Sequence, residues 1–228
     1  AGTMDESLID EVQRAAAEVD LEFVAHEIPT AIRESLAGVA QVAKIVRSMK
    51  EFSHPGGDEK QEIDLNEAIR STLTVSRNEW KYVADVVTDL DEPLPRVMCL
   101  PSDFNQVMLN LVVNAAHAIG DRLGPKMGEK GTITVRTRAD GEFVEVRVAD
   151  TGTGIPPAIR DRVFDPFFTT KEVGRGTGQG LAIVHSIITE RHGGTIRLKT
   201  EVGQGTEFIV RLPSESKETR HAAHSVRG

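Results

Sequence analysis

Apolar residues recur every three or four positions through residues 4–54. Leu8, Val12, Ala15 and Val19 make a short stripe, and Ile28, Ile32, Leu36, Val39, Val42, Val46, Met49 and Phe52 a longer one. That spacing is one face of a helix and lies close to a heptad seam. It predicts helix over residues 4–54, with a break or bend near Asp20 or Pro29. Little else in the chain is reserved to cover this face, so the stripes suit an antiparallel pair or a second copy of the chain. Ser53-His54-Pro55-Gly56-Gly57 then breaks the pattern, and residues 55–61 read as a linker.

From there the period alternates. Ile63-Asp64-Leu65 is short and strand-like, residues 65–79 read as a helix, and residues 82–90 have strand character before Pro93 and Pro95. Pro101 suits the first turn of a helix over residues 101–122, whose apolar face is Phe104, Val107, Met108, Leu111, Val112, Ala115 and Ile119. Residues 132–138 and 142–150 alternate around Asp140-Gly141, a turn dipeptide that suits a tight hairpin. Residues 180–191 are helical, with His192-Gly193-Gly194 available as a C-cap. Residues 195–200 and 206–212 form a second hairpin across Gly203-Gln204-Gly205. One face of each of these four strands is apolar and the other polar. The prediction is an α+β fold: a two-layer α/β sandwich with a mixed, mostly antiparallel sheet and helices on one face, spanning residues 62–213. Residues 214–228 are polar and aperiodic and read as a tail.

Two features are not explained by a core. Gln106, Asn110, Asn114 and His117 line one stripe of the 101–122 helix. Asparagine is a poor helix former, and solvated faces usually carry Glu, Lys or Arg, so two asparagines one turn apart ask for a reason. Secondly, Asp150 ends a strand pattern and is followed at once by Gly152 and Gly154, while Gly174, Gly176, Gly178 and Gly180 lead into a helix. Glycines that open a helix let amides approach an anion closely. The stretch from Asp150 to Leu181 therefore reads as a nucleotide site, a carboxylate at one end and a phosphate cradle at the other. The second cluster matches neither a P-loop nor a dinucleotide-binding fingerprint.

The 228 residues carry a net charge of −8, from 27 basic and 35 acidic side chains. This excludes the basic footprint of a nucleic-acid binder, and it requires that an anionic nucleotide be met by local amides and a few placed cations. The single cysteine, Cys99, excludes an internal disulfide framework and reads as a buried, inert thiol. No apolar run approaches a membrane span. Ala1-Gly2-Thr3 before Met4 reads as a cloning scar, and the expectation is a cytoplasmic piece of something longer, attached to a membrane only through an upstream region, if at all.

Four ordered motifs resemble the catalytic, ATP-binding domain of sensor histidine kinases, the Bergerat-fold group that also includes gyrase, MutL and heat-shock-ninety-type chaperones. LNLVVNAAHAI looks like the N box, DTGTGIP the first G box, VFDPFFTTK the F box and GRGTGQGLAIV the second G box. Gln179 departs from the pattern, where leucine is common. KIVRSMKEFSHP resembles the second helix of the dimerisation and histidine-phosphotransfer hairpin.

The resemblance implies ATP and Mg²⁺ as ligands. Asp150 accepts from the adenine amine, with Gly152, Gly154 and Ile155 beneath the base and Thr206 supporting it. Asn114 supplies a neutral oxygen for Mg²⁺, with Asn110 and His117 near the phosphates. Gly176, Thr177, Gly178, Gln179, Gly180 and Leu181 form the phosphate cradle, and Lys171 and Arg175 are the cations of a lid over about residues 167–177. It also implies phosphoryl transfer to a histidine, relay to a response-regulator aspartate, and a homodimer through the N-terminal helices. The alternatives are a non-catalytic ATP-binding dimerisation module and a gyrase- or MutL-like ATPase, though no longer lid or transducer domain is evident. Val24-Ala25-His26-Glu27-Ile28 looks like the H box, with His26 as acceptor and Glu27 as base. Two observations oppose that. Pro29 follows Ile28 directly, and the apolar period from Ile28 to Phe52 leaves no room for a hairpin turn. The expectation is that Pro29 sits in the first turn of the second helix and that the acceptor lies upstream of this chain.

Overall fold

The computed structural model describes residues 9–11, 14, 23, 25–36, 38–39, 59–124, 128–171 and 176–214. The expectations for residues 40–58, for Arg175 and for the tail beyond 214 lie outside the described residues.

Asp64 caps the first helix of the domain, α1 (Leu65–Val75). Its carboxylate accepts from Asn66 N at 2.9 Å and Glu67 N at 3.2 Å, which satisfies two otherwise unpaired amides. Leu65, Ile69 and Leu73 recur on one face and are buried. The helix stops earlier than its pattern predicted. Ser76 is buried and its hydroxyl donates to Thr72 O at 2.8 Å beside its own amide at 2.9 Å, and a separate short helix α2 (Arg77–Trp80) follows.

Strands β1 (Gln61–Ile63) and β3 (Val97–Cys99) form a small antiparallel ribbon. Between them β2 (Ala84–Leu90) enters the main sheet, whose order is β2-β4-β5-β7-β6. Its other strands are β4 (Gly131–Asp140), β5 (Phe143–Asp150), β6 (Thr195–Glu201) and β7 (Gly205–Pro213). β2 runs parallel to β4 and every other neighbour is antiparallel, so the sheet is mixed, as expected.

The long helix α3 (Pro101–Leu123) lies across the apolar face of this sheet. Phe104, Val107, Met108, Leu111, Val112, Ala115 and Ile119 meet Ile133, Val135, Val144, Val146, Val148, Phe208, Val210 and Leu212 in one core. Helix α4 (Gly180–Ser186) packs beside α3 and widens into a π turn, Ile187–Arg191. His192 closes it. Its Nδ1–H donates to Ile187 O at 2.8 Å, and its Nε2 accepts from Leu100 N at 3.0 Å. That arrangement needs the neutral ring, and burial lowers the pKa accordingly. Cys99 is buried and its thiol is pushed up to about 12, which fits an inert core residue.

The other face of the sheet is polar. A concavity of about 270 Å³ there is lined by Asp89, Arg136, Arg138, Glu145 and Arg147. These side chains mostly neutralise one another, Arg138 with Asp89 at 2.6 Å and Arg147 with Glu145 at 2.6 Å.

Residues 25–36 are helical, and this corrects the placement of Pro29. It stands inside helical residues and not in a first turn. Proline removes one amide donor, which leaves the Ala25 carbonyl to water at an exposed position, while Thr30 Oγ1 covers the next carbonyl, His26 O, at 3.1 Å. Ile28, Ile32, Leu36 and Val39 are all more than half exposed. Among the described residues no helix is long and apolar enough to cross a membrane.

Candidate nucleotide site

The site is built along α3. At one end β5 delivers Asp150 beside Thr206 of β7, its partner in register. Asp150 is 9% exposed. Its Oδ1 accepts from Gly152 N at 2.7 Å and from Thr206 N at 3.3 Å. Burial pushes its pKa up to about 6 against the pull of those two amides, so the carboxylate is ionised at neutral pH but at a cost.

The loop after Asp150 can follow only a glycine path. A Cβ on Gly152 would stand 2.6 Å from the Ala118 side chain. Gly154 has φ +69, and a Cβ there would run into the Glu201 carbonyl. The loop is thus wedged between α3 and the β6–β7 turn. Thr153 N donates to Ala118 O at 3.2 Å and Gly203 N to Thr153 O at 2.7 Å.

Thr200 organises this end and was absent from the sequence reading. Its hydroxyl takes the Ile155 amide at 2.8 Å, reaches Gly205 O at 3.1 Å and lies 3.0 Å from Thr206 Oγ1. With Thr200 donating to Gly205 O, the Thr206 hydroxyl must donate to Thr200. Thr206 then offers lone pairs to the site, as Asp150 does. Two acceptors side by side suit a ligand carrying a donor such as an exocyclic amine. The signal for Thr200 was available only in the register Thr200↔Thr206.

At the other end Asn110 and Asn114 face the start of α4. A Cβ on Gly180 would lie 3.4 Å from Asn110 Oδ1 and 3.8 Å from Asn114 Nδ2, so the missing side chain leaves a cradle against the two amides. Gly178, at φ +66, packs on the backbone of Phe167, itself at φ +65, which joins the two borders of the predicted lid. Lys171 Nζ stands 2.8 Å from His117 Nδ1. Gly176 and Thr177 lie between, with Thr177 Oγ1 accepting weakly from Gln179 N at 3.4 Å. Ile155 and Leu181 are half-buried against the core at the two ends. Of the sequence-predicted set the structure thus brings together all but Arg175, which is outside the described residues. From Asn110 to Ala118 the helix rises about 12 Å, so a single wall connects the Asp150 end to the glycine end.

Among the described residues no three His, Cys, Asp or Glu side chains gather to hold a metal. A neutral amide oxygen, Asn110 Oδ1, lies at the cradle, where Asn114 presents Nδ2; a neutral oxygen of this kind fits Mg²⁺ held mainly by phosphate.

The family model described as "Histidine kinase-, DNA gyrase B-, and HSP90-like ATPase" matches residues 99–216, more than half of the chain. The chain belongs to this family. It is 37% identical over 172 residues to Sensor histidine kinase ZraS of Salmonella typhi, covering 75% of this chain and 35% of that protein. The chain therefore spans about a third of the length of that relative. The catalytic domain of histidine kinase ThkA superposes with TM-score 0.59 at 34% identity, over 68% of this chain and 96% of that one. Histidine kinase ThkA in complex with response regulator protein TrrA gives TM-score 0.60 at 29% identity, over 78% of this chain and 48% of that one. The resemblance drawn from the four motifs therefore holds, and so does the fold it implied.

Proposed function

We propose that the chain is the catalytic portion of a sensor histidine kinase, which binds Mg²⁺-ATP along α3 and transfers the γ-phosphoryl group to a histidine for relay to a response-regulator aspartate. The observation that carries this reading is the pairing of two ends on one helix wall: the buried Asp150 carboxylate beside Thr206, and the Gly178–Gly180 cradle against Asn110 and Asn114.

In this reading Asp150 accepts from the adenine amine. Guanine presents a carbonyl at that place, and a carboxylate repels it. Gly152 and Gly154 let the chain pass close under the base, and Ile155 flanks it. Gly176, Thr177, Gly178, Gln179, Gly180 and Leu181 bring amides toward the β- and γ-phosphates. His117 and Lys171 reach the same oxygens, Asn110 stands near them, and Arg175 joins them from the lid. Asn114 offers an oxygen to Mg²⁺, which when bound offsets phosphate charge. Phosphoryl transfer asks a protein chiefly for positioning and charge neutralisation, and this set supplies both.

The domain division at residues 55–61, a cytoplasmic location and a homodimer through residues 4–54 belong to the same proposal. The exposed stripe of Ile28, Ile32, Leu36 and Val39 supports the dimer, because helical apolar faces of this kind close four-helix bundles. His26 and Glu27 are not assigned as acceptor and base. Titration with a fluorescent ATP analogue, with and without Mg²⁺, tests the whole reading. A folded protein that binds no nucleotide in either condition would sink it.

A further inference from the structure

Two buried polar atoms of the site have no partner. Gln179 is 7% exposed, and its Oε1 accepts no hydrogen bond. Asn110 Nδ2 is buried and donates none. They stand on touching elements, since Gly180 follows Gln179 and its cradle opens onto Asn110. A buried unpaired acceptor and a buried unpaired donor are each unfavourable, and they are complementary.

The chemistry narrows the partner of each. Gln179 Oε1 cannot turn toward phosphate oxygens, because both are acceptors. It needs a donor. Asn110 has one end of each kind, and Oδ1 already faces the Gly180 cradle. An amide oxygen presented to a cation needs its NH₂ turned away and accepted elsewhere. Leucine, common in the family at this place, has no acceptor to give.

We infer that Gln179 is a positioning residue: its Oε1 accepts from Asn110 Nδ2 when nucleotide occupies the cradle, which holds Asn110 Oδ1 toward the metal beside Asn114. The inference rests on the Mg²⁺-ATP reading of this site and adds a second neutral oxygen to the metal's surroundings. It makes the side chain at position 179, and not only its amide, part of metal selection.

The test is a double-mutant cycle read by ATP-analogue affinity in Mg²⁺ and in EDTA. Gln179→Leu places the family's common residue there, and Gln179→Met keeps the length without the acceptor. Each should weaken binding about five- to tenfold in Mg²⁺, the worth of one hydrogen bond, and by much less in EDTA. In an Asn110→Ala background the same substitutions should cost nothing more. The Asn110 side-chain amide resonances should shift on adding Mg²⁺-ATP in the wild type and not in Gln179→Leu. Equal losses in EDTA, additive losses in the cycle, or an Asn110 amide that responds alike in both proteins overturns the inference while ATP binding stands. A wild-type protein that binds no ATP overturns both.

Discussion

Asp150 is held by two amide donors, yet it sits where burial disfavours its charge. Its folded pKa of about 6 lies above the ordinary value of 3.8. A group raised in this way stabilises the fold at low pH and loses that contribution as pH rises through about 6. The nucleotide-free protein therefore tolerates neutralisation of this side chain at neutral pH, and Asp150→Asn should leave its melting temperature equal or higher. In the proposed site binding runs the other way, because an adenine amine would need the charged acceptor. Asp150→Asn should weaken ATP binding by about 30- to 150-fold, and wild-type affinity should fall as pH drops below about 6. An affinity flat from pH 7.5 to 5 would take Asp150 out of the site. For the proposed Mg²⁺ contact, Asn114→Ala should reduce Mg²⁺-ATP affinity much more than metal-free affinity, and equal losses would make Asn114 merely structural.

Helix α3 is the element on which both the core and the site depend. One face carries Phe104, Val107, Leu111, Ala115 and Ile119 into the core, and the adjoining stripe holds Asn110, Asn114 and His117. The start of α3 is tied to the end of the π turn by Leu100 N–H to His192 Nε2 and by Asp103 to Arg191 at 2.5 Å. The His192 pKa is lowered by burial, so its share of stability is complete above the ordinary value of 6.5 and is lost as pH falls below it. Protonating Nε2 removes the acceptor for Leu100. Thermal unfolding between pH 7.5 and 5 should show a loss in the wild type that His192→Gln, already without the titratable ring, does not share. An identical pH slope in both proteins would remove His192 as the source. Glycine positions of the loops are equally specific. Gly154→Ala would meet both a positive φ and the Glu201 carbonyl, and should weaken nucleotide binding through the Asp150 loop.

At the scale of the molecule, the exposed stripe from Ile28 to Val39 predicts self-association. Sedimentation at micromolar concentration should give a dimer, and Ile32→Lys should reduce it to a monomer. Incubation with γ-labelled ATP and Mg²⁺ should give no acid-labile, base-stable label on this chain. A labelled band that disappears in His26→Gln would make His26 the acceptor after all. Much of this was legible in the chain alone. Apolar period placed α3, the strands and the sheet's buried face, because side-chain period follows directly from backbone geometry. The polar stripe and the glycine clusters marked the candidate site residues, because asparagines are poor helix formers and glycines at a helix start leave amides open to an anion. Other features depended on contacts between distant segments. The parallel pairing of β2 with β4 is one, since alternation is the same in either direction. Thr200 is another, since its role exists only through register with Thr206. The helical setting of Pro29 was decided by which hydrogen bonds its surroundings could replace, as Thr30 Oγ1 does on His26 O. The unpaired ends of Asn110 and Gln179 also belong to tertiary structure, because whether a buried polar atom is satisfied depends on what folding brings beside it.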